Sequence, residues 1–215
     1  YRQPVRLGSH RLMLRPRESR DLRLISIEVQ VAPAATVTWS HDVSSNAIAA
    51  ATFGTMTGTL VIDSTASVIA ASAVVYPFRY SDDDWADLGA LASPQYRDPA
   101  ERLSTWARGF VRGDATDTLS LLKDLSVGVA EQVRYQSRDD EGTQTPIQTL
   151  DRGWGSCRDF AVLFAEAART LGFGSRIVSG YLYNPDQDRV GSAGAGSTHA
   201  WAAVFVPGAG WITFD

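Results

Sequence analysis

The chain of 215 residues holds one cysteine, Cys157, and three histidines. A thiol does covalent chemistry as its thiolate, which requires an electropositive setting, a base within reach and a group that orients the base. Cys157 stands in "DRGWGSCRDFAVLFAEAARTLGFGSR" (151–176), shortly after Gly153 and Gly155 and directly after Ser156. His10 and His41 adjoin Ser9 and Asp42 in a strand-rich region and read as exposed turn residues. His199 differs: it stands between the small-residue loop "VGSAGAGST" and the apolar run "HAWAAVFV". That places an imidazole where a loop meets a sheet. Asp215 ends "GWITFD". With "PGAG" (207–210) as a hairpin turn, a five-residue loop sets Asp215 opposite Trp201 and diagonal to His199, on one face. A four-residue loop sets it on the other face, and the sequence leaves both registers open.

These residues need a helix and two strands to hold them. Phe160, Leu163, Phe164, Ala167, Ala168 and Leu171 recur at i, i+3, i+4, i+7, i+8 and i+11, one apolar stripe of a helix that Gly172 ends. Ser156-Cys157-Arg158-Asp159 fits a capping pattern with Ser156 as N-cap and Asp159 at N3; Arg158 is then solvent-facing or paired with Asp159. Cys157 becomes the first helical residue, beside unpaired backbone N–H groups and the positive end of the helix dipole, a setting that favours a thiolate. The same N–H groups, including that of Cys157, suit an oxyanion, and Gly153 and Gly155 let the preceding backbone pass close to a bound acyl group. A buried cysteine that only packs also fits this position and is the commoner case, so the local pattern leaves two readings and calls for a partner base.

After the helix come "SRIVSGYLY", "HAWAAVFV" and "WITF", which read as strands. Before it, Asp98-Pro99-Ala100-Glu101 signals the start of a helix carrying Leu103, Trp106, Ala107 and Phe110 and ending at Gly113. A second helix spans Thr116 to Arg134 with Leu119, Leu122, Val129 and Val133 on one side, and "SRDDEGTQTP" follows as a loop. Helices followed by strands make residues 97–215 an α+β domain. Residues 1–78 read differently. "PVRLGSHRLMLRP", "DLRLISIEVQV", "TVTW", "NAIAAATF", "GTLVID" and "ASVIAASAVVY" are short runs between turn signals, the pattern of a small antiparallel β-sandwich. Residues 79–96, acidic, aromatic and proline-containing, read as an ordered linker.

Apolar residues make up 44% of the chain and charged residues 20%, an ordinary globular balance, and a net charge of −4 points to neither nucleic acid nor an anionic membrane. Arg2, Arg6, Arg11, Arg15, Arg17, Arg20 and Arg23 are separated by apolar residues and read as solvated strand faces rather than a docking patch. One cysteine forms no internal disulfide, and no apolar run reaches the roughly 18 residues of a membrane span, so the default location is the cytoplasm. Tyr1 is not an initiator residue, which leaves a removed leader open. One Cys and one well-placed His fall short of a zinc site, and no cofactor or metal is expected.

"GWGSCRDFAVLFAEAARTLGFGSRIVSGYL" followed by "STHAWAAVFVPGAGWITFD" resembles the core of the transglutaminase-like superfamily, in particular the bacterial transglutaminase-like cysteine proteases. In that superfamily a Cys opens a helix, a His opens a strand and an Asp lies on the next, in a papain-like arrangement, and Cys157, His199 and Asp215 fall on those positions in that order. The first residues, including "PVRLGSHRLMLRPR", resemble the β-sandwich domain that precedes this core in the bacterial group. The resemblance implies a papain-like α+β core and a cysteine-dependent acyl-transfer enzyme acting on amide bonds through a Cys-His-Asp triad and a thioester. Amidase or protease chemistry is the preferred expectation. The alternatives are amine transfer to protein glutamine, or a silent binding or scaffold module whose first domain recognises a partner. The expected substrate is a protein or peptide, presenting a backbone amide or a glutamine side chain. Candidate substrate-binding or oxyanion residues are Trp154, Ser156, Tyr135 and Gln144. Each also has an ordinary role: packing for Trp154, the helix cap for Ser156, helix-end packing for Tyr135 and loop solvation for Gln144. Family members usually follow the aspartate with Pro and Thr or a similar pair, whereas this chain stops at Asp215, so a truncated C-terminus is expected.

Overall fold

Alternating apolar and polar residues without helix caps give the first part of the chain only strands. The computed structural model describes residues 1–19, 22–70, 77–138, 140–182 and 197–215. Arg20, the end of the strand reading through Tyr76 and most of the glycine-rich loop before His199 lie outside the described residues. The chain divides into two compact units, Tyr1–Ala73 and Val74–Asp215.

In the first unit β1 (Val5–Arg6), β2 (His10–Leu12), β3 (Leu22–Ala32), β4 (Ala35–His41), β5 (Ala47–Phe53), β6 (Met56–Thr57) and β7 (Val61–Ala70) pair antiparallel throughout. The strand order is β2-β5-β4 in one sheet, β3-β7 in a second and β1-β6 in a third. Leu12, Ala49 and Ala51 form a small core against which Val31 and Ile62 of the β3-β7 ribbon pack. The apolar residues of β3 change parity along the run, and the structure shows why. A register irregularity between Leu24 and Ser26 inserts Ile25 as an extra, exposed residue, which brings Leu22, Leu24, Ile27, Val29 and Val31 to one half-buried face. His10 lies on β2 rather than in a turn, its Nδ1 2.9 Å from the Gly8 carbonyl and its ring edge-on to Phe53.

The second unit opens with α1 (Asp82–Leu88), inside the stretch read as linker. Ser81 and Asp84 form a capping box, Leu88 is buried, and the Tyr80 hydroxyl donates to the Phe205 carbonyl at 2.6 Å. The run "SDDD" is therefore a helix start rather than part of a linker. A 3₁₀ turn at Pro99–Glu101 precedes α2 (Arg102–Arg108), with Ala100 and Glu101 in the left-handed region. Asp98 still caps, but further along than its position suggests: its carboxylate accepts the N–H groups of Leu103 and Ser104. Then come α3 (Thr118–Gln132), β8 (Arg134–Tyr135), α4 (Pro146–Arg152), β9 (Trp154–Gly155) and α5 (Cys157–Thr170). The chain ends in an antiparallel sheet, β10 (Ser175–Leu182), β11 (Ser197–Val206) and β12 (Gly210–Phe214), in spatial order β10-β11-β12.

The core joins α5 to both sides. Leu163, Phe164, Ala167 and Ala168 of α5 meet Leu122, Leu125 and Val129 of α3, Leu103 and Ala107 of α2, and Ala202 and Val204 of β11. Each fully buried leucine or phenylalanine here contributes about 1.5–3 kcal/mol, and together they hold the N-terminus of α5 at a fixed place on the sheet. Ala202 pairs with Phe214 and Val206 with Gly210. Continued by one residue, that register sets Asp215 opposite Trp201, the first of the two arrangements the sequence allows.

Candidate active site

Cys157 opens α5 and is half-buried. Ser156 precedes it in extended conformation (φ −86°, ψ 174°), where an N-cap belongs. Both the backbone N–H and the hydroxyl of Ser156 donate to Asp159 Oδ2, at 2.9 and 2.8 Å. Asp159 is fully buried. Its remaining partners come from the segment before α4. Arg138 forks onto the carboxylate through Nε and Nη2, both at 3.0 Å, and the Gln144 backbone N–H donates to Oδ1 at 2.7 Å. Burial pushes the Asp159 carboxyl up, but the Arg138 guanidinium and the Gln144 and Ser156 donors outweigh it and hold the group well below the usual carboxylate range.

Arg158 is neither solvent-facing nor paired with Asp159. It is half-buried and donates to the backbone carbonyls of Arg138 and Asp140. Adjacent helical residues point about 100° apart, so Asp159 turns inward to Arg138 while Arg158 clasps the same loop from outside.

The backbone ahead of the thiol is held from its other side as well. β8 and β9 pair in parallel, Arg134 with Trp154 and Tyr135 with Gly155, and the Gln136 N–H donates to the Gly155 carbonyl at 2.8 Å. A side chain at 155 would bring its Cβ within 2.8 Å of the Asp159 Cβ, so only glycine lets the strand lie against that residue. Gly153 ends α4 in the left-handed region (φ 65°, ψ 19°).

His199 lies on β11 across from Gly180 of β10. The Trp201 indole covers Gly180, where an added Cβ would come to 2.5 Å of the ring, and it stands 6.0 Å from the imidazole, centroid to centroid. His199 Nε2 lies 2.8 Å from both carboxylate oxygens of Asp215. The His199 side chain is 17% exposed and that of Asp215 60%, so the pair stands at a rim, imidazole inward.

A cavity of about 270 Å³ connects these elements. Cys157, His199 and Asp215 all line it, with Val127 and Ala130 of α3, Tyr135 of β8, Phe160 and Phe164 of α5, and Trp201. Tyr135 is largely exposed and meets Phe160 edge to face, 6.2 Å between centroids. Trp154, Ser156 and Gln144 are not among the lining residues. The Trp154 ring lies under the Arg152 guanidinium, 5.6 Å from its centroid. Gln144, 3% exposed, sends its Nε2 to the Trp154 carbonyl at 3.1 Å and to Asp159 Oδ2 at 3.3 Å. These three therefore support the turn before Cys157, while Tyr135 reaches the cavity. Sequence reasoning missed Arg138 altogether. A lone arginine in an acidic loop carries no local signal, although "TPIQ" at 145–148 does signal α4, whose capping box puts Gln144 just ahead of it. Among the described residues no group of three His, Cys, Asp or Glu side chains is placed to hold a metal ion, and no helix is long and apolar enough to cross a membrane.

The model of the transglutaminase-like superfamily matches residues 104–215, more than half of the chain. The chain belongs to the transglutaminase-like superfamily. The model of the bacterial transglutaminase-like N-terminal region matches residues 1–69 of this transglutaminase-like chain. Among solved structures it is similar to a "Putative Cysteine Protease" from Cytophaga hutchinsonii, with TM-score 0.71 and 17% identity over 96% of this chain and 70% of that one, which shows a shared fold. The periplasmic domain of TgpA from Pseudomonas aeruginosa aligns at TM-score 0.48 and 16% identity over 99% of this chain and 71% of that one. An uncharacterized Mycobacterium leprae protein, ML0607, is 38% identical over 69 residues, 32% of this chain and 24% of that protein's length.

Proposed function

We propose that this transglutaminase-like protein is a cysteine-dependent acyl-transfer enzyme that hydrolyses amide bonds, with Cys157 as nucleophile, His199 as base and then acid, and Asp215 as the group that orients the imidazole. One observation carries the reading. Asp215 holds His199 Nε2 through both oxygens at 2.8 Å, on the rim of the cavity that Cys157 also lines. An ionised carboxylate only accepts, so Nε2 carries its hydrogen and Nδ1 is the nitrogen that exchanges protons. In the first half-reaction Nδ1 takes the proton from Sγ, and the thiolate attacks the amide carbonyl carbon. Backbone N–H groups of the first turn of α5 receive the resulting oxyanion. The C–N bond then breaks as the imidazolium returns its proton to the leaving amine, leaving a thioester on Cys157. Water attacks the thioester, Nδ1 accepts its proton, and collapse to the acid restores the thiol.

The substrate fits a protein or peptide. Among the described residues, the only carboxylate lining the cavity belongs to Asp215 and the other walls are mostly apolar or aromatic, which suits an uncharged acyl side chain. The test is a rapidly quenched reaction with an activated acyl ester or anilide, read by mass spectrometry of the intact protein. The expected result is one acyl group on Cys157 that disappears into free acid, at a rate an added primary amine leaves unchanged. Capture of the acyl group by the amine makes the reaction a transfer, and a thiol that never acylates overturns the enzymatic reading.

A further inference from the structure

The Arg138–Asp159 pair lies outside the cavity, yet its carboxylate is bonded from three sides. Asp159 is fully buried and accepts from the Arg138 fork, the Gln144 N–H and both donors of Ser156. Ser156 is bonded directly to Cys157, and Asp159 stands two residues beyond it in the same turn, so the carboxylate is tied to the residue immediately ahead of the thiol. A buried negative charge there opposes a thiolate, and it also sits at the helix N-terminus whose positive end a thiolate needs. The guanidinium supplies the compensating charge while its planar fork fixes the carboxylate's direction.

We propose that Arg138 is a positioning residue of the nucleophile: through its fork on Asp159 it fixes the peptide ahead of Cys157 and cancels the carboxylate that lies against the thiol's own turn. The proposal rests on Cys157 being the nucleophile. Other charged or titratable groups face this turn from every side. Arg158 on α5 binds the carbonyls of Arg138 and Asp140. From the loop, the Asp140 carboxylate lies 3.9 Å from Arg138 Nη1, and from α4 Arg152 donates to Gln144 Oε1 at 3.2 Å. Tyr135 of β8, His199 of β11 and Asp215 line the cavity with the thiol. None of these but Arg138 touches the Asp159 carboxylate with a charge, which makes the pair separable by mutation.

A merely structural pair, when broken from either side, perturbs the thiol in one direction. The proposed pair does the opposite. In the folded full chain, iodoacetamide alkylation of Cys157 is followed from pH 5 to 10. Arg138→Gln leaves the carboxylate uncompensated and should move the rise in alkylation rate upward by about one pH unit; Asp159→Asn leaves the guanidinium uncompensated and should move it downward by a similar amount. The double variant should return the rise to its wild-type pH, with the maximal rate still lowered because the fork is gone. Arg138→Lys keeps the charge and loses the fork, so its profile should stay in place while its maximal rate falls several-fold, and it serves where a neutral variant does not fold. Shifts of the two single variants in the same direction, no shift in either, or a displaced Arg138→Lys profile would overturn the proposal. Alkylation needs no amide substrate, so absence of turnover bears on the acyl-transfer reading and leaves this test intact.

Discussion

The two ends of α5 are built alike. Asp159 near its start and Glu166 two turns further on are both buried, both face an arginine and both accept loop N–H groups. At the far end Gln95 and Tyr96 donate to Glu166 at 2.8 and 3.1 Å, and Arg169 bridges Glu166 to the Ser175 and Leu91 carbonyls. That cluster ties the segment before α2 and the start of β10 to the helix, and among the described residues neither Cys157 nor a histidine takes part in it. At the near end the same construction abuts the peptide that carries Cys157. A buried carboxylate–arginine unit is thus a general means of clamping a loop to a helix. It serves chemistry only where the clamped peptide bears the reacting group.

That distinction can be broken. The largest effect is expected at the far end: Arg169→Ala strands the Glu166 carboxylate and should cost about 3–5 kcal/mol in urea unfolding, with the pH profile of Cys157 alkylation unmoved. A displaced profile would erase the difference between the two ends. Asp159→Asn should cost less, about 1.5–3 kcal/mol at neutral pH, because the Arg138 guanidinium it leaves behind keeps the Gly142 carbonyl and lies beside the exposed Asp140 carboxylate. Because folding depresses this carboxyl's pKa, its ionisation stabilises fully above the ordinary value of 3.8, less as the pH drops below it, and not at all below the depressed folded value. The Asp159→Asn deficit should therefore shrink as unfolding is measured from pH 4 downward. A deficit constant across that range would contradict the assigned hydrogen bonding. The smallest effects sharpen the contrast. An alanine Cβ at Gly155 meets Asp159 and one at Gly174 meets Leu88 at 2.4 Å, so each should cost about 1–2 kcal/mol. Only Gly155→Ala should also slow alkylation.

Much of this architecture is legible in the sequence where signals are local. The apolar stripe from Phe160 to Leu171 and the Ser156 cap suffice to set Cys157 at a helix start, and "PGAG" marks the hairpin that carries Asp215 back beside β11. The register of that hairpin is not legible, since both loop lengths satisfy the turn; in the structure it goes with Phe214 stacked on Phe164, ring centroids 5.0 Å apart, a contact that needs the helix in place. α1 and α4 carry capping signals in Ser-Asp-Asp-Asp and Thr-Pro-x-Gln, yet each is only 7 residues long, and the sequence reading passes over them as linker and loop. Arg138 and Asp159 are 21 residues apart and joined only through the fold, so neither periodicity nor spacing brings them together. Arg158, adjacent in sequence, was the wrong partner because neighbours on a helix diverge.

The proposed chemistry requires Cys157 and His199 to act together. It is tested most directly by the pH dependence of Cys157 alkylation in the wild-type protein and in His199→Ala. The wild-type thiol should alkylate rapidly well below the pH of an ordinary thiol, about 8.5, and His199→Ala should lose that acid-side reactivity. A wild-type profile that follows an ordinary thiol and is indifferent to His199→Ala would contradict it.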